Sequence, residues 1–149
     1  MRAFAVTLLG LLLALIALAA RVQAQEAPPL AYRVVVHPAN RLSAVDRKFL
    51  EDAFLKKVTR WPHQSVIRPA DLSARAPVRR RFSREVLDRS VAAVKAYWQQ
   101  RIFAGRDVPP PEFDSDGKVI EFVLKHEGAI GYVSGTTSLR GARVVTVNR

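Results

Sequence analysis

Hydrophobic residues form two different patterns along this chain, and together the two patterns predict an α/β domain. Short runs rich in β-branched residues, typical of buried strands, occupy residues 32–36, 66–68, 129–133 and 143–147. Between these runs, apolar residues recur every three or four positions, as they do on the buried face of a helix. We therefore expect a small mixed sheet flanked by helices.

Four segments carry the helical period. Their expected core positions are Val45, Phe49 and Ala53; Val78, Phe82 and Val86; Val91, Val94, Trp98 and Ile102; and Val119, Phe122 and Val123. Ser43, Ser90 and Ser115 precede three of the segments as candidate N-caps, and Pro77 suits the first turn of the remaining one. Gly128 follows the last segment and is expected to end it in a left-handed conformation.

The N-terminus predicts export. Arg2 precedes a nearly unbroken apolar run over residues 4–20, and Val22-Gln23-Ala24 then supplies the small or modest residues that a signal peptidase requires. We expect a signal peptide over residues 1–24, cleavage before Gln25, a flexible leader over 25–31 and a periplasmic domain over 32–149. This domain would have no transmembrane anchor. The alternative is a retained anchor, since the run approaches the roughly 17–25 apolar residues that span a bilayer.

The charge of the chain favours an anionic partner. There are 24 Lys and Arg against 13 Asp and Glu, a formal net charge of +11, and cleavage after Ala24 would leave about +9. Six arginines cluster around the Pro77 helix: Arg75, Arg79, Arg80, Arg81, Arg84 and Arg89. They could hold a polyanion or form a solvated helix face. No aromatic residue among them is placed to stack on bases, so we expect no nucleic-acid partner.

No pattern of catalytic or metal-binding residues is evident. His37, His63 and His126 are too far apart in sequence for ordinary metal-ligand spacing, and the chain contains no cysteine that could act as a nucleophile or form a disulfide. The usual serine-nucleophile and phosphate-cradling glycine motifs are also absent. We therefore expect a protein that is not an enzyme and has no metal or cofactor.

Several short motifs resemble those of a known family and occur in the same order as in that family. Residues 34–40 (VVVHPAN) are similar to its first strand, residues 54–61 (FLKKVTRW) to its "FxGKxxxW" segment, and residues 128–133 to its "GAIGYV" strand. Residues 95–98, 102–105 and 109–110 match a short subgroup. On these motifs, which span residues 32–147, the chain resembles the phosphate ABC transporter substrate-binding-like proteins of the type II periplasmic-binding-protein superfamily.

The resemblance implies a single lobe of the type II periplasmic-binding-protein fold. Full-length members clamp phosphate between two lobes, with an arginine and an "SGT" segment at a helix N-terminus holding the anion. The corresponding region here is 68–77, where the Gly-Thr pair is absent and Asp71 lies near the expected arginine. The anion contacts implied at this helix entrance are Ser73, Arg75 and Arg79.

Two functions therefore remain open. In the first, the domain binds phosphate or another small anion for uptake or sensing, with an ABC transporter as a candidate partner. In the second, the lobe binds no small ligand and is an interaction module of the cell envelope, whose basic surface docks an acidic protein or polymer.

Overall fold

A five-stranded mixed sheet forms the centre of the molecule. The computed structural model describes residues 31–148, so the predicted signal peptide and residues 25–30 of the leader lie outside the described residues. The strands of this sheet are β1 (Tyr32–Val36), β2 (Ala44–Asp46), β3 (Arg68–Pro69), β6 (Ala129–Ser134) and β7 (Arg143–Asn148). A separate pair is formed by β4 (Asp71–Leu72) and β5 (Glu112–Phe113).

The long runs of β-branched residues form the middle of the sheet. Its order is β2-β7-β1-β6-β3, with β1 antiparallel to both of its neighbours and the two short edge strands parallel to theirs. The predictions for residues 32–36, 129–133 and 143–147 are confirmed. The predicted strand at 66–68 is displaced, because only Arg68 and Pro69 pair with β6. Proline is tolerated there because β3 lies at the edge of the sheet.

Within residues 31–148, four helices pack on the sheet or on one another: α1 (Arg47–Phe54), α2 (Pro77–Glu85), α3 (Val91–Phe103) and α4 (Asp116–Lys125). Ser90 and Ser115 cap α3 and α4 by accepting hydrogen bonds from the N–H groups of Ala93 and Lys118, as predicted. The first helix begins later than expected. Val45 belongs to β2, where it pairs with Val147, so Asp46 and not Ser43 occupies the N-cap position.

Helices cover both faces of the sheet and produce three layers. On one face, Phe54 of α1 and Phe82 of α2 lie against Tyr132, and the rings of Phe82 and Tyr132 stack with their centroids 3.7 Å apart. On the other face, Val119 and Val123 of α4 pack over Gly131. The α/β class and the small mixed sheet flanked by helices are therefore confirmed.

Helix α3 lies outside these layers and packs mainly on α2. Trp98 is buried, as its place on the apolar stripe predicts. The expectation that Ile102 is a core position is wrong, because Ile102 remains 50% exposed. The neighbouring elements cover the stripe only through Trp98, and the last turn of α3 extends beyond them.

Gly128 has a different role from the predicted one. Helix α4 ends at Lys125, and Gly128 is not among the glycines with positive φ. It is instead required by a close approach of two backbone segments, since a Cβ at this position would lie 1.9 Å from the carbonyl oxygen of Val66. The glycine therefore allows the 66–69 segment to reach β6.

Candidate functional site

A cleft of about 680 Å³ opens at the N-terminus of α2. One wall is the chain entering α2, and the other is the N-terminus of α4 together with the end of β6. The lining residues are Leu72, Ser73, Ala74, Arg75, Ala76, Pro77, Val78, Asp114, Ser115, Asp116 and Ser134. Two helix N-termini, each the positive end of a helix dipole, thus border one cleft.

Pairing of β4 with β5 brings the two walls together. Asp71 and Leu72 lie in register with Glu112 and Phe113, and the Ser73 N–H continues the pairing by donating to the Phe113 carbonyl at 2.8 Å. The turn that follows is closed by a hydrogen bond from the Ala76 N–H to the Ser73 carbonyl. Segments about 40 residues apart in the chain therefore meet at the site.

The α2 wall presents hydrogen-bond donors that no other described group uses. Within residues 31–148, the backbone N–H groups of Ala74, Arg75 and Val78 have no hydrogen-bond acceptor. The side chain of Arg75 is exposed and forms no ion pair in this part of the chain, and Ser73 adds a half-buried hydroxyl. Such an arrangement at a helix N-terminus suits a small anion.

Two carboxylates on the opposite wall weaken the positive potential of the cleft. Asp116 accepts hydrogen bonds from the Ser134 N–H at 3.0 Å and from the Thr137 hydroxyl. Asp114 pairs with Lys118 at 2.9 Å, and the hydrogen bond from Lys118 holds the pKa of Asp114 below its ordinary value. Both groups are therefore engaged by their own neighbours, yet their charges still face the cleft.

Arg79 does not belong to this cleft, and this corrects its assignment as an anion contact there. Arg79 is only 2% exposed to solvent, and its guanidinium forms an ion pair with Asp71. Tyr132 completes the group: its hydroxyl donates to Asp71 and accepts from Arg79 at 3.4 Å. Asp71, which the sequence places near the anion, is equally buried and does not line the cleft.

Burial shifts the pKa values of Asp71 and Tyr132. Burial raises the pKa of Asp71, and the charge of Arg79 opposes that shift. Burial and the neighbouring Asp71 charge raise the pKa of Tyr132 well above its ordinary value of 10.0. The phenol therefore keeps its proton and donates it in a hydrogen bond to Asp71.

The sequence contained one signal of this buried group. Arg79 lies three residues before Phe82 and seven before Val86, so its helical position is on the buried side of α2. An arginine at such a position requires a buried counter-charge. The identity of that counter-charge, Asp71, and the participation of Tyr132 depend on the fold.

The other arginines around α2 do not form one surface. Arg80 and Arg84 are exposed, whereas Arg81 pairs with Glu85 at 2.7 Å. The guanidinium of Arg89 lies over the ring of Tyr97, 5.6 Å from its centroid. The predicted cluster is therefore divided among a cleft wall, a buried ion pair, an aromatic contact and a solvated helix face.

Two further features bear on function. In the described part of the chain, no three His, Asp or Glu residues lie close enough to hold a metal ion. None of the helices between residues 31 and 148 combines the length and the apolar character needed to cross a membrane.

Comparison with known proteins identifies the fold. No protein-family model matches the chain, and no curated protein does either. Solved structures do match: an ABC-type phosphate transport receptor from Vibrio cholerae (17% identity, TM-score 0.60) and PstS from Borrelia burgdorferi (13% identity, TM-score 0.62). A third match is a protein from Clostridium perfringens solved with bound phosphate (18% identity, TM-score 0.61).

The shared region is one part of longer proteins. The Vibrio match covers 78% of this chain and 45% of that protein, and the Borrelia match covers 79% and 47%. The Clostridium match covers 78% of this chain and 44% of that protein. The chain therefore has the fold of phosphate-transport binding proteins and spans less than half of their length. The resemblance found in the sequence motifs is confirmed at the level of the fold.

Proposed function

We propose that the chain is an exported solute-binding lobe that binds phosphate or a similar small oxyanion at the N-terminus of α2. The observation that carries the proposal is the set of unpartnered N–H groups of Ala74, Arg75 and Val78, which line one cleft with the Ser73 hydroxyl. The phosphate proteins that share the fold support the choice of ligand. The proposed role is binding and involves no catalysis.

The affinity should be low. The cleft is open to solvent, and Asp114 and Asp116 face the same space as Arg75. Charges in high-dielectric surroundings retain little mutual attraction. We therefore expect dissociation constants on the order of 1 mM, equivalent to about −4 kcal/mol.

Calorimetric titration of inorganic phosphate tests this proposal. Removing the Arg75 side chain (Arg75→Ala) should weaken binding about tenfold, because a charge-assisted hydrogen bond is lost. The matched control is Arg80→Ala, which removes an exposed arginine of α2 that does not line the cleft. Arg79 is unsuitable for this test, since its loss would leave Asp71 buried without a counter-charge.

Three results would contradict the proposal as stated. Micromolar binding would mean that the site is more complete than a one-sided cleft. Equal weakening by the Arg75 and Arg80 variants would show a general effect of charge. No heat of binding up to tens of millimolar, on the order of −2 kcal/mol, would remove the anion-binding function and leave the interaction module.

A further inference from the structure

The C-terminal end of α3 exposes apolar side chains that the proposed anion site does not use. Phe103 is 90% exposed, Ile102 is 50% exposed and Val108 is 61% exposed. We call residues 102–108 the α3 tip. The turn is held by backbone hydrogen bonds from Gly105 to Ile102 and from Arg106 to Arg101. The exposed aromatic ring is therefore presented by an ordered segment of backbone.

The α3 tip is continuous with an apolar groove. Ile102 lines a groove of about 340 Å³ together with Trp98 and Pro109, and Pro109 directly follows Val108. The two ends of the 102–108 segment thus come together in space. Exposed apolar groups that form one contiguous patch indicate an interaction surface, whereas single exposed residues do not.

Two exposed cations belong to the tip and its groove. Arg106 lies within the tip and is exposed, and the exposed Lys95 lines the same groove as Ile102. Asp107 is the acidic residue of the tip, and its charge is offset by Lys56 at 3.3 Å and by Arg101 at 3.9 Å. Glu112 also lines the groove. Lys56, Lys95, Arg101 and Arg106 stand against Asp107 and Glu112, so these side chains of the tip and its groove carry a net positive charge.

The area of the patch decides between classes of partner. A standard protein interface buries roughly 800 Å² on each side. One fully exposed aromatic side chain offers roughly 200 Å², so three partly exposed side chains supply less than the roughly 450 Å² of apolar area that such an interface contains on each side. A lipid surface has no such minimum, because a small buried apolar area and the attraction of a few cations to anionic headgroups add up to weak, reversible binding.

We propose that the α3 tip docks the protein onto an anionic lipid surface. Phe103 and Ile102 enter the boundary between headgroups and acyl chains, while Arg106 and Lys95 contact the anionic headgroups. Val108 lies beside them at the level of the interface. The cleft at α2 contains neither Phe103 nor Arg106, although Ala74 lines both that cleft and the groove beside Ile102.

A single fluorescent label tests the insertion directly. The chain has no cysteine, so Phe103→Cys creates a unique site for a fluorophore that reports the polarity of its surroundings. With the chain that begins at Gln25, the predicted mature N-terminus, and vesicles of phosphatidylglycerol and phosphatidylcholine, we expect a blue shift and a several-fold rise in emission. The same label at Val144→Cys, on β7, should remain in water, since Val144 is exposed on the face of the sheet that carries α4.

Flotation of the unlabelled chain with the same vesicles measures the affinity. Phe103→Ser and Arg106→Glu should each reduce binding about tenfold, and high salt should reduce it further. The matched control is Arg80→Glu, which reverses the charge of an exposed arginine that lies outside the tip. Vesicles of phosphatidylcholine alone should bind little protein.

Other outcomes would overturn the proposal. Flotation without any change at the labelled position 103 would mean that another surface of the protein contacts the lipid. A label already in apolar surroundings without vesicles, with a dimer in solution, would identify a second copy as the occupant. Equal response to neutral and anionic vesicles would show that headgroup charge is not recognised.

Discussion

An otherwise apolar layer contains a charged pair and a phenol, which belong to Asp71, Arg79 and Tyr132. The Tyr132 ring stacks on Phe82, while its hydroxyl contacts both charged side chains. Asp71 also accepts a hydrogen bond from the Leu72 N–H at 2.8 Å. Because Leu72 immediately precedes the cleft residue Ser73, the buried group fixes the start of the loop that forms the candidate anion site.

Removing one partner of the ion pair should be far more damaging than removing both. Asp71→Leu or Arg79→Met alone leaves a buried charge without compensation, which costs about 3–5 kcal/mol. The double variant Asp71→Leu/Arg79→Met should be considerably more stable than the sum of the single effects predicts. Urea denaturation of the four proteins gives these free energies. Additive losses would show that the two side chains are energetically independent.

Alkaline pH should destabilise the protein through Tyr132. Its folded-state pKa is raised above 10.0, so above that pH the unfolded chain loses the phenolic proton while the folded protein retains it. The stabilisation is therefore complete below pH 10.0 and is lost as the pH rises beyond it. Denaturant midpoints measured on either side of this value should fall more steeply for the wild type than for Tyr132→Phe. Parallel curves would contradict this origin.

At the scale of elements, the helices differ in what they pack against. Helices α1, α2 and α4 face the sheet, whereas α3 packs mainly on α2 and closes over it with Trp98. The Tyr97 hydroxyl ties α3 to the end of α1 through a hydrogen bond to the Leu55 carbonyl at 2.9 Å. Trp98 and this hydrogen bond hold the middle of α3, and its last turn projects beyond them with Phe103 exposed.

Trp98 should be the principal anchor of α3. Replacing this buried aromatic residue by alanine should cost about 3–5 kcal/mol, a large part of the stability of a domain of this size. Ile102→Ala should cost much less, because half of that side chain is exposed. Arg80→Ala should unfold at nearly the wild-type urea concentration. Similar midpoints for Trp98→Ala and the wild type would mean that α3 contributes little to the folded state.

At the scale of the whole molecule, the chain combines one lobe of a transport-protein fold with a strongly basic sequence. The net charge of +11 is not concentrated in the candidate cleft, where Arg75 faces two carboxylates. Much of the charge lies on exposed positions such as Arg68, Arg84 and Lys125. The charge therefore favours approach to anionic surfaces in general more than selective binding of one small anion.

Export remains a prediction from the N-terminal sequence. We expect Gln25 to be the first residue of the mature protein, because the apolar run ends at Val22-Gln23-Ala24. N-terminal sequencing of the protein recovered from the cell envelope checks this. Recovery of a membrane-bound species that begins with Met1 would instead identify a retained anchor.

The features that the sequence predicted correctly depend on neighbouring residues. Ser90 and Ser115 were recognisable as N-caps because a cap bonds to a residue only three positions away. The three long strands were recognisable from their own β-branched composition, and Trp98 from the helical spacing of its apolar neighbours. The sequence by itself therefore determined the element types, the α/β class and most of the core.

Only the tertiary structure decided which distant residues meet. The pairing of β4 with β5 brings Ser73 and Arg75 beside Ser115, and Asp71 reaches Arg79 and Tyr132 only in the folded chain. Ile102 illustrates the same limit, since its spacing predicts a core position but no element extends far enough to cover it. Periodicity specifies which face of a helix is apolar, whereas burial also requires a partner, and the partner is supplied by segments far away in the sequence.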